Sequence, residues 1–110
     1  MITWPAIIKY SGDHELVYVL NQKNWNSNVE LVEYRYDAED LLIDSMGATY
    51  NLADMGKIGE VYVKGKLTLD QITELVRYHA AELGNCCITK LIFPTTQEAV
   101  KAVASIRDEH

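Results

Sequence analysis

No run of lysines or arginines occurs anywhere in the 110 residues, and the 16 acidic side chains outnumber the 10 basic ones, leaving a formal charge of −6. A field of that sign repels phosphate backbones, so nucleic acid is a poor partner. Long apolar stretches are missing too, and none approaches the roughly 20 residues that span a bilayer. The first residues, Met1-Ile2-Thr3-Trp4-Pro5, lack the basic segment and apolar run of a secretory signal. A cytoplasmic protein with no membrane role is the expectation. The six glycines stand apart from one another, so there is no phosphate-cradling loop or dinucleotide fingerprint. Neither a nucleophile elbow nor a His-Glu-x-x-His helix is present, and no cofactor is implied.

Cysteine is scarce, and the two that exist, Cys86 and Cys87, are adjacent. In an extended strand neighbouring side chains point to opposite faces, which separates their Cβ atoms beyond the ~3.8 Å of a disulfide. Free thiols follow, as a reducing compartment would keep them. Neither a Cys-x-x-Cys pair nor zinc-ligand spacing is present, and the expectation is two buried, structural thiols.

What the chain does contain, 48% apolar and 24% charged residues, is the composition of a folded globular protein. At this length residues 1–110 make one domain around one core. The N-terminal half reads as strands. Trp4, Ala6, Ile8 and Tyr10 alternate on one side of a first strand, and Leu16, Tyr18 and Leu20 alternate with Val17 and Val19 in a second. Ser11-Gly12-Asp13-His14 between them has turn chemistry, so the two form a hairpin. Pro5 places the start of the first strand at a sheet edge or where the strand begins. Asn21 to Asn28 is turn-prone, with a short helical turn held by the indole of Trp25. Val29 to Tyr36 fits either a strand or a helical turn. Leu41 to Asp44 and Ala48 to Leu52 flank Ser45-Met46-Gly47 as a second hairpin.

Downstream, Glu60 to Lys66 reads as a strand with Val61 and Val63 inward and Lys64 and Lys66 guarding an edge. Thr68-Leu69-Asp70-Gln71 is a capping box that opens a helix from Leu69 to about Leu83, ending at Gly84. Its stripe contains Ile72, Leu75, Val76, His79 and Leu83. Cys86 to Phe93 is apolar on both alternating sets, the pattern of an internal strand covered on two faces. Thr95-Thr96-Gln97-Glu98 opens a last helix to about Arg107. The fold class is therefore α+β: a mixed, mainly antiparallel sheet from N-terminal hairpins, then a C-terminal β-α-β-α unit whose two helices pack mainly on one face.

Two candidate sites emerge. Between Val29 and Asp44 the acidic Glu30, Glu33, Asp37, Glu39, Asp40 and Asp44 face only Arg35. Seven tyrosines and two tryptophans against one phenylalanine favour half-exposed rings with a polar tip. Tyr34, Tyr36, Tyr50 and Tyr62 could form an open aromatic patch beside that charge. The contact face predicted from this is Tyr34, Tyr36, Asp37, Glu39, Asp40 and Tyr62, for a protein partner or a second copy of the chain. The alternative is a small-ligand or thiol-dependent catalytic site built on His79, Cys86 and Cys87, where a basic neighbour would activate a thiol. His79 is otherwise a core imidazole satisfied by hydrogen bonds. No metal site is predicted: Asp13 with His14 is too small a set, and the acidic stretch lacks the EF-hand spacing.

Trp4-Pro5-Ala6-Ile7-Ile8, then Ser11-Gly12-Asp13-His14-Glu15-Leu16, and later Cys86-Cys87-Ile88-Thr89-Lys90-Leu91 resemble a family of short uncharacterised gammaproteobacterial proteins. The similarity covers most of the chain. It implies a bacterial domain of unknown function and brings no activity, ligand or site residue with it.

Overall fold

The computed structural model describes residues 2–54 and 63–106. These form five strands, β1 (Ala6–Lys9), β2 (Leu16–Val19), β3 (Leu41–Asp44), β4 (Ala48–Asn51) and β5 (Val63–Lys66). Four α-helices join them: α1 (Gln22–Ser27), α2 (Val29–Glu33), α3 (Leu69–Glu82) and α4 (Thr96–Ser105). The sheet order is β2-β1-β3-β4-β5 and every neighbouring pair is antiparallel. The class is α+β, with strands mostly N-terminal and the long helices C-terminal.

The period of two sorts the strand residues onto two covered faces. Ala6, Ile8, Val19, Leu42 and Tyr50 face one side, where Trp25 of α1 and Leu31 of α2 close over them and Trp4 and Tyr10 pack at the margin. Ile7, Leu16 and Ile43 face the other side, against Ile72 and Val76 of α3 and Ala99, Val100 and Val103 of α4. Burial on both faces explains why β1 and β3 read as continuous apolar runs. Pro5 therefore precedes an internal strand, and the two edges are β2 and β5.

Asparagines decide the short helices. The Asn21 side chain accepts from the Asn24 N–H at 2.8 Å, opening α1. Asn28 donates its backbone N–H to Trp25 O, closing α1, while its side chain accepts from the Leu31 N–H at 3.2 Å, opening α2. This cap settles Val29 to Glu33 as helix, with Tyr34 to Tyr36 extended after it. The predicted capping box on α3 is complete: Thr68 Oγ1 accepts from the Gln71 N–H at 3.2 Å and Gln71 Oε1 from the Thr68 N–H at 2.9 Å.

The predicted strand from Cys86 to Phe93 does not form. That segment is a connection with a single 3-10 turn at Ile88–Lys90, Cys87 has φ +59°, and both cysteines are exposed rather than buried. The expected β-α-β-α unit thus reduces to β5, α3 and α4, and among the described residues every strand pair is antiparallel rather than mixed. Arg77 of α3 explains how the segment manages without a strand neighbour: Nε donates to Leu91 O at 3.1 Å and Nη2 to Thr89 O at 3.4 Å. Phe93 gains partial burial against the helix-covered core without joining the sheet. On β5, Val63 is 56% exposed instead of inward, consistent with an edge strand. The expected Glu60 to Tyr62 portion lies outside the described residues.

Candidate functional site: an aromatic face with an acidic rim

Tyr10 leaves the end of β1, and Tyr34 and Tyr36 lie on the extended chain after α2, so the three rings meet beside Trp25. Tyr34 and Tyr36 have centroids 4.8 Å apart, Tyr10 meets Tyr34 edge-on at 5.4 Å, and Tyr36 stacks on Trp25 at 6.2 Å. Such offset and edge contacts suit the aromatic quadrupole. Tyr36 also donates its hydroxyl to Leu31 O at 2.7 Å, tying the extended segment back to α2. Burial, then Tyr10 beside it, holds the Tyr36 phenol well above its ordinary range, so it remains a donor. Tyr34 is left 52% exposed at the outer side of the cluster.

Trp25, Val32, Tyr34, Arg35, Tyr36, Leu52 and Ala53 line a cleft of about 270 Å³, so one cation stands in an otherwise aromatic and apolar wall. Val32 is 42% exposed and carries the apolar lining out to solvent. Glu30 and Glu33 on α2 and Asp37 and Glu39 after it are exposed, and among the described residues none of them forms an ion pair. A wider hollow of about 630 Å³ lies between β2 and the short helices, but Asn28 in its wall is committed to capping α2. The aromatic cleft is therefore the better candidate site.

Of the predicted face, Tyr34 and Tyr36 pack together and Asp37 and Glu39 are exposed on the chain that follows, whereas Asp40 is not part of the surface. It is 3% exposed, its Oδ1 accepts from the Ser11 N–H at 2.6 Å and its Oδ2 from the Asp37 N–H at 2.8 Å. A carboxylate counted as surface charge is an internal acceptor that joins the first hairpin turn to the acidic loop. Tyr50, expected in the open patch, is buried and donates its hydroxyl to Asp44 Oδ2 at 3.1 Å. Tyr62 lies outside the described residues.

His79 and the cysteines occupy different environments. His79 is 5% exposed, and its Nδ1 accepts the Leu16 N–H at 2.9 Å, so the imidazole satisfies a backbone donor of β2. Burial holds its pKa below the ordinary value, partly opposed by the Glu15 carboxylate. Among the described residues no hydrogen bond joins it to either thiol. No group of three or more His, Cys, Asp or Glu side chains is placed to hold a metal ion among those residues.

Sequence reasoning overlooked Tyr10 and Trp25 as partners of the tyrosine pair, and Asp44 as an internal hub. Asp44 is 1% exposed and accepts from the N–H groups of Thr3, Met46 and Ala48 as well as from Tyr50. Its place just before Ser45-Met46-Gly47 was the available signal, since Asp at the start of a turn commonly accepts backbone donors.

A family model for DUF4144, described as a protein structure with unknown function, matches residues 4–103, and the chain belongs to this family. An NMR structure of a protein from Shewanella amazonensis has the same fold, with a TM-score of 0.74, 22% sequence identity and coverage of 97% of this chain and 91% of that one. No curated protein matches. No helix among the described residues is long and apolar enough to cross a membrane.

Proposed function

We propose that this member of the DUF4144 family is a single-domain, non-catalytic interaction module of the cytoplasm. Its cleft and rim, formed by Tyr34, Tyr36, Asp37 and Glu39 with Trp25 and Val32, meet a basic segment of a protein partner. The observation that carries this reading is the exposed, ring-lined cleft with unpaired carboxylates on the same stretch of chain. Rings that are held from one side and open on the other offer contact area at low entropic cost. The acidic rim supplies charge complementarity, which raises encounter rate and selects sign rather than adding much affinity. The same charge disfavours nucleic acid.

Native mass spectrometry of the protein purified from its own host tests the proposal, with Asp37→Lys/Glu39→Lys and Tyr34→Ala prepared in parallel. The expected result is a co-purifying basic protein whose complex is about tenfold weaker in the charge-reversed variant and weakens with added salt. Complexes that survive both variants unchanged would overturn the assignment of this face. A homodimer lost in the same variants would replace the basic partner with a second copy.

A further inference from the structure

We propose that the free edge of β2 joins the same edge of a second copy, the two strands pairing antiparallel about a two-fold axis so that both sheets become one. This surface is separate from the aromatic cleft. Of the two sheet edges, β5 carries Lys64 and Lys66, a usual protection against strand addition, whereas β2 is Leu-Val-Tyr-Val, with no charge and no proline. Its surroundings are apolar and open. Leu20, just past the strand, is 51% exposed and Val29 is 63% exposed. The hollow of about 630 Å³ borders the strand, with Tyr18 and Val19 of β2 and Val29, Glu30 and Leu31 of α2 in its lining.

Backbone direction selects the occupant. Leu16 gives its N–H to His79 Nδ1 rather than to β1, so its main-chain groups point away from β1, and the period of two gives Tyr18 the same direction. Val17 and Val19 are then the residues that bond to Ile8 and Ala6 of β1. The Leu20 N–H lies opposite the Val19 carbonyl across a planar trans peptide, so it also faces outward. Tyr18 N–H, Tyr18 O and Leu20 N–H thus form a row with no strand beside it. The row is self-complementary: with the axis at Val19, the Leu20 N–H of each copy meets the Tyr18 O of the other. A longer antiparallel neighbour, running on past Leu16, would strike His79, whose imidazole fills the place beside that N–H. A second copy avoids the collision, because its chain leaves the strand at Asn21 and turns into α1.

Charge fits the same register. Two chains of −6 repel overall, but residues 16–20 hold no charge, so the joined strands bring no like charges face to face. Lys23 stands as far after Val19 as Glu15 stands before it, so at each end of the joined edge the Glu15 of one copy comes toward the Lys23 of the other. Both side chains are exposed, and among the described residues neither forms an ion pair within its own chain. Such exposed pairs add little energy, and their effect is to select the antiparallel register.

The test is sedimentation equilibrium of the full chain from about 50 µM to about 1 mM, with amide hydrogen exchange resolved by NMR at both ends of that range. A dimer that grows with concentration is expected. As it forms, exchange at Tyr18 and Leu20 should slow by about tenfold or more, while Val17 and Val19 stay slow throughout. Leu20→Lys, which gives β2 the guard that β5 carries, should weaken the dimer by about tenfold or more. Glu15→Lys and Lys23→Glu should each weaken it by about threefold, and the double variant Glu15→Lys/Lys23→Glu should recover most of that loss. These three sites are exposed, so the variants should keep the wild-type far-ultraviolet dichroism. Added salt should strengthen the pairing of two like-charged copies, the reverse of its effect on a basic partner at the aromatic cleft, and Tyr34→Ala should leave the dimer unchanged. A chain still monomeric at about 1 mM, a dimer whose Tyr18 and Leu20 amides exchange freely, indifference to Leu20→Lys, a double variant no better than the single ones, or loss in Tyr34→Ala would each overturn the proposal.

Discussion

Replacing Asp44 by Asn keeps the size of the side chain and removes its charge, at a position where four donors converge on one buried carboxylate. The amide oxygen can still accept from the Met46 and Ala48 N–H groups. Those bonds become neutral, and each loses about 1 kcal/mol relative to a charged acceptor. The amide nitrogen then faces the Thr3 N–H, a donor against a donor, which adds roughly 1–2 kcal/mol for the lost acceptor. The Tyr50 hydroxyl can rotate to accept and changes little. The total is about 3–4 kcal/mol, which at a urea slope of roughly 1–3 kcal/mol/M lowers the midpoint by about 1–4 M. Tyr50→Phe, which leaves the three backbone donors in place, should cost only about 1 kcal/mol. Urea unfolding followed by tryptophan fluorescence measures both. If Asp44→Asn lies within about 0.5 kcal/mol of wild type, or is milder than Tyr50→Phe, then Asp44 does not organise the β3–β4 turn and the account of the hub is wrong.

Burial depresses the folded pKa of His79 below its unfolded value of 6.5, so between those two values the unfolded chain binds more protons and stability falls as pH falls. His79→Gln should flatten the decline in urea midpoint from about pH 7.5 to about pH 5.5; parallel profiles for the two proteins would refute it. Gly47 has φ +85°, and a Cβ there would come within 2.6 Å of Leu67 O, whereas Gly12, at φ +75°, has nothing within 4 Å. Gly47→Ala should therefore cost about 2–4 kcal/mol and Gly12→Ala about 1–2, and equal losses in thermal unfolding would contradict the close approach of the Leu67 backbone.

The parts legible in the sequence are those whose cause is local. Thr68 and Gln71 can satisfy each other only at the first turn of a helix, so α3 begins where they stand. The β1 alternation of Ala6 and Ile8 against Ile7, and the paired hairpins, follow from a two-residue period and turn residues close by. The acidic aromatic stretch also marked itself, since its charge and ring content are properties of consecutive residues.

Other features depend on partners far along the chain. The run from Cys86 to Phe93 has the composition of a buried strand, but a strand needs an open edge. β5 presents Lys64 and Lys66 at one of the two edges. Arg77 supplied an alternative acceptor-satisfying contact, so the run became a connection with its thiols outside. Asp40 and Asp44 count as surface charge in any composition, yet each is buried because backbone N–H groups 29 and 41 residues away, those of Ser11 and Thr3, converge on it. Thus the residues alone determined the class of fold, the helix starts and the hairpins, whose energies come from near neighbours. Which carboxylates, tyrosines and thiols reach solvent was decided only when the sheet closed and its two faces were covered.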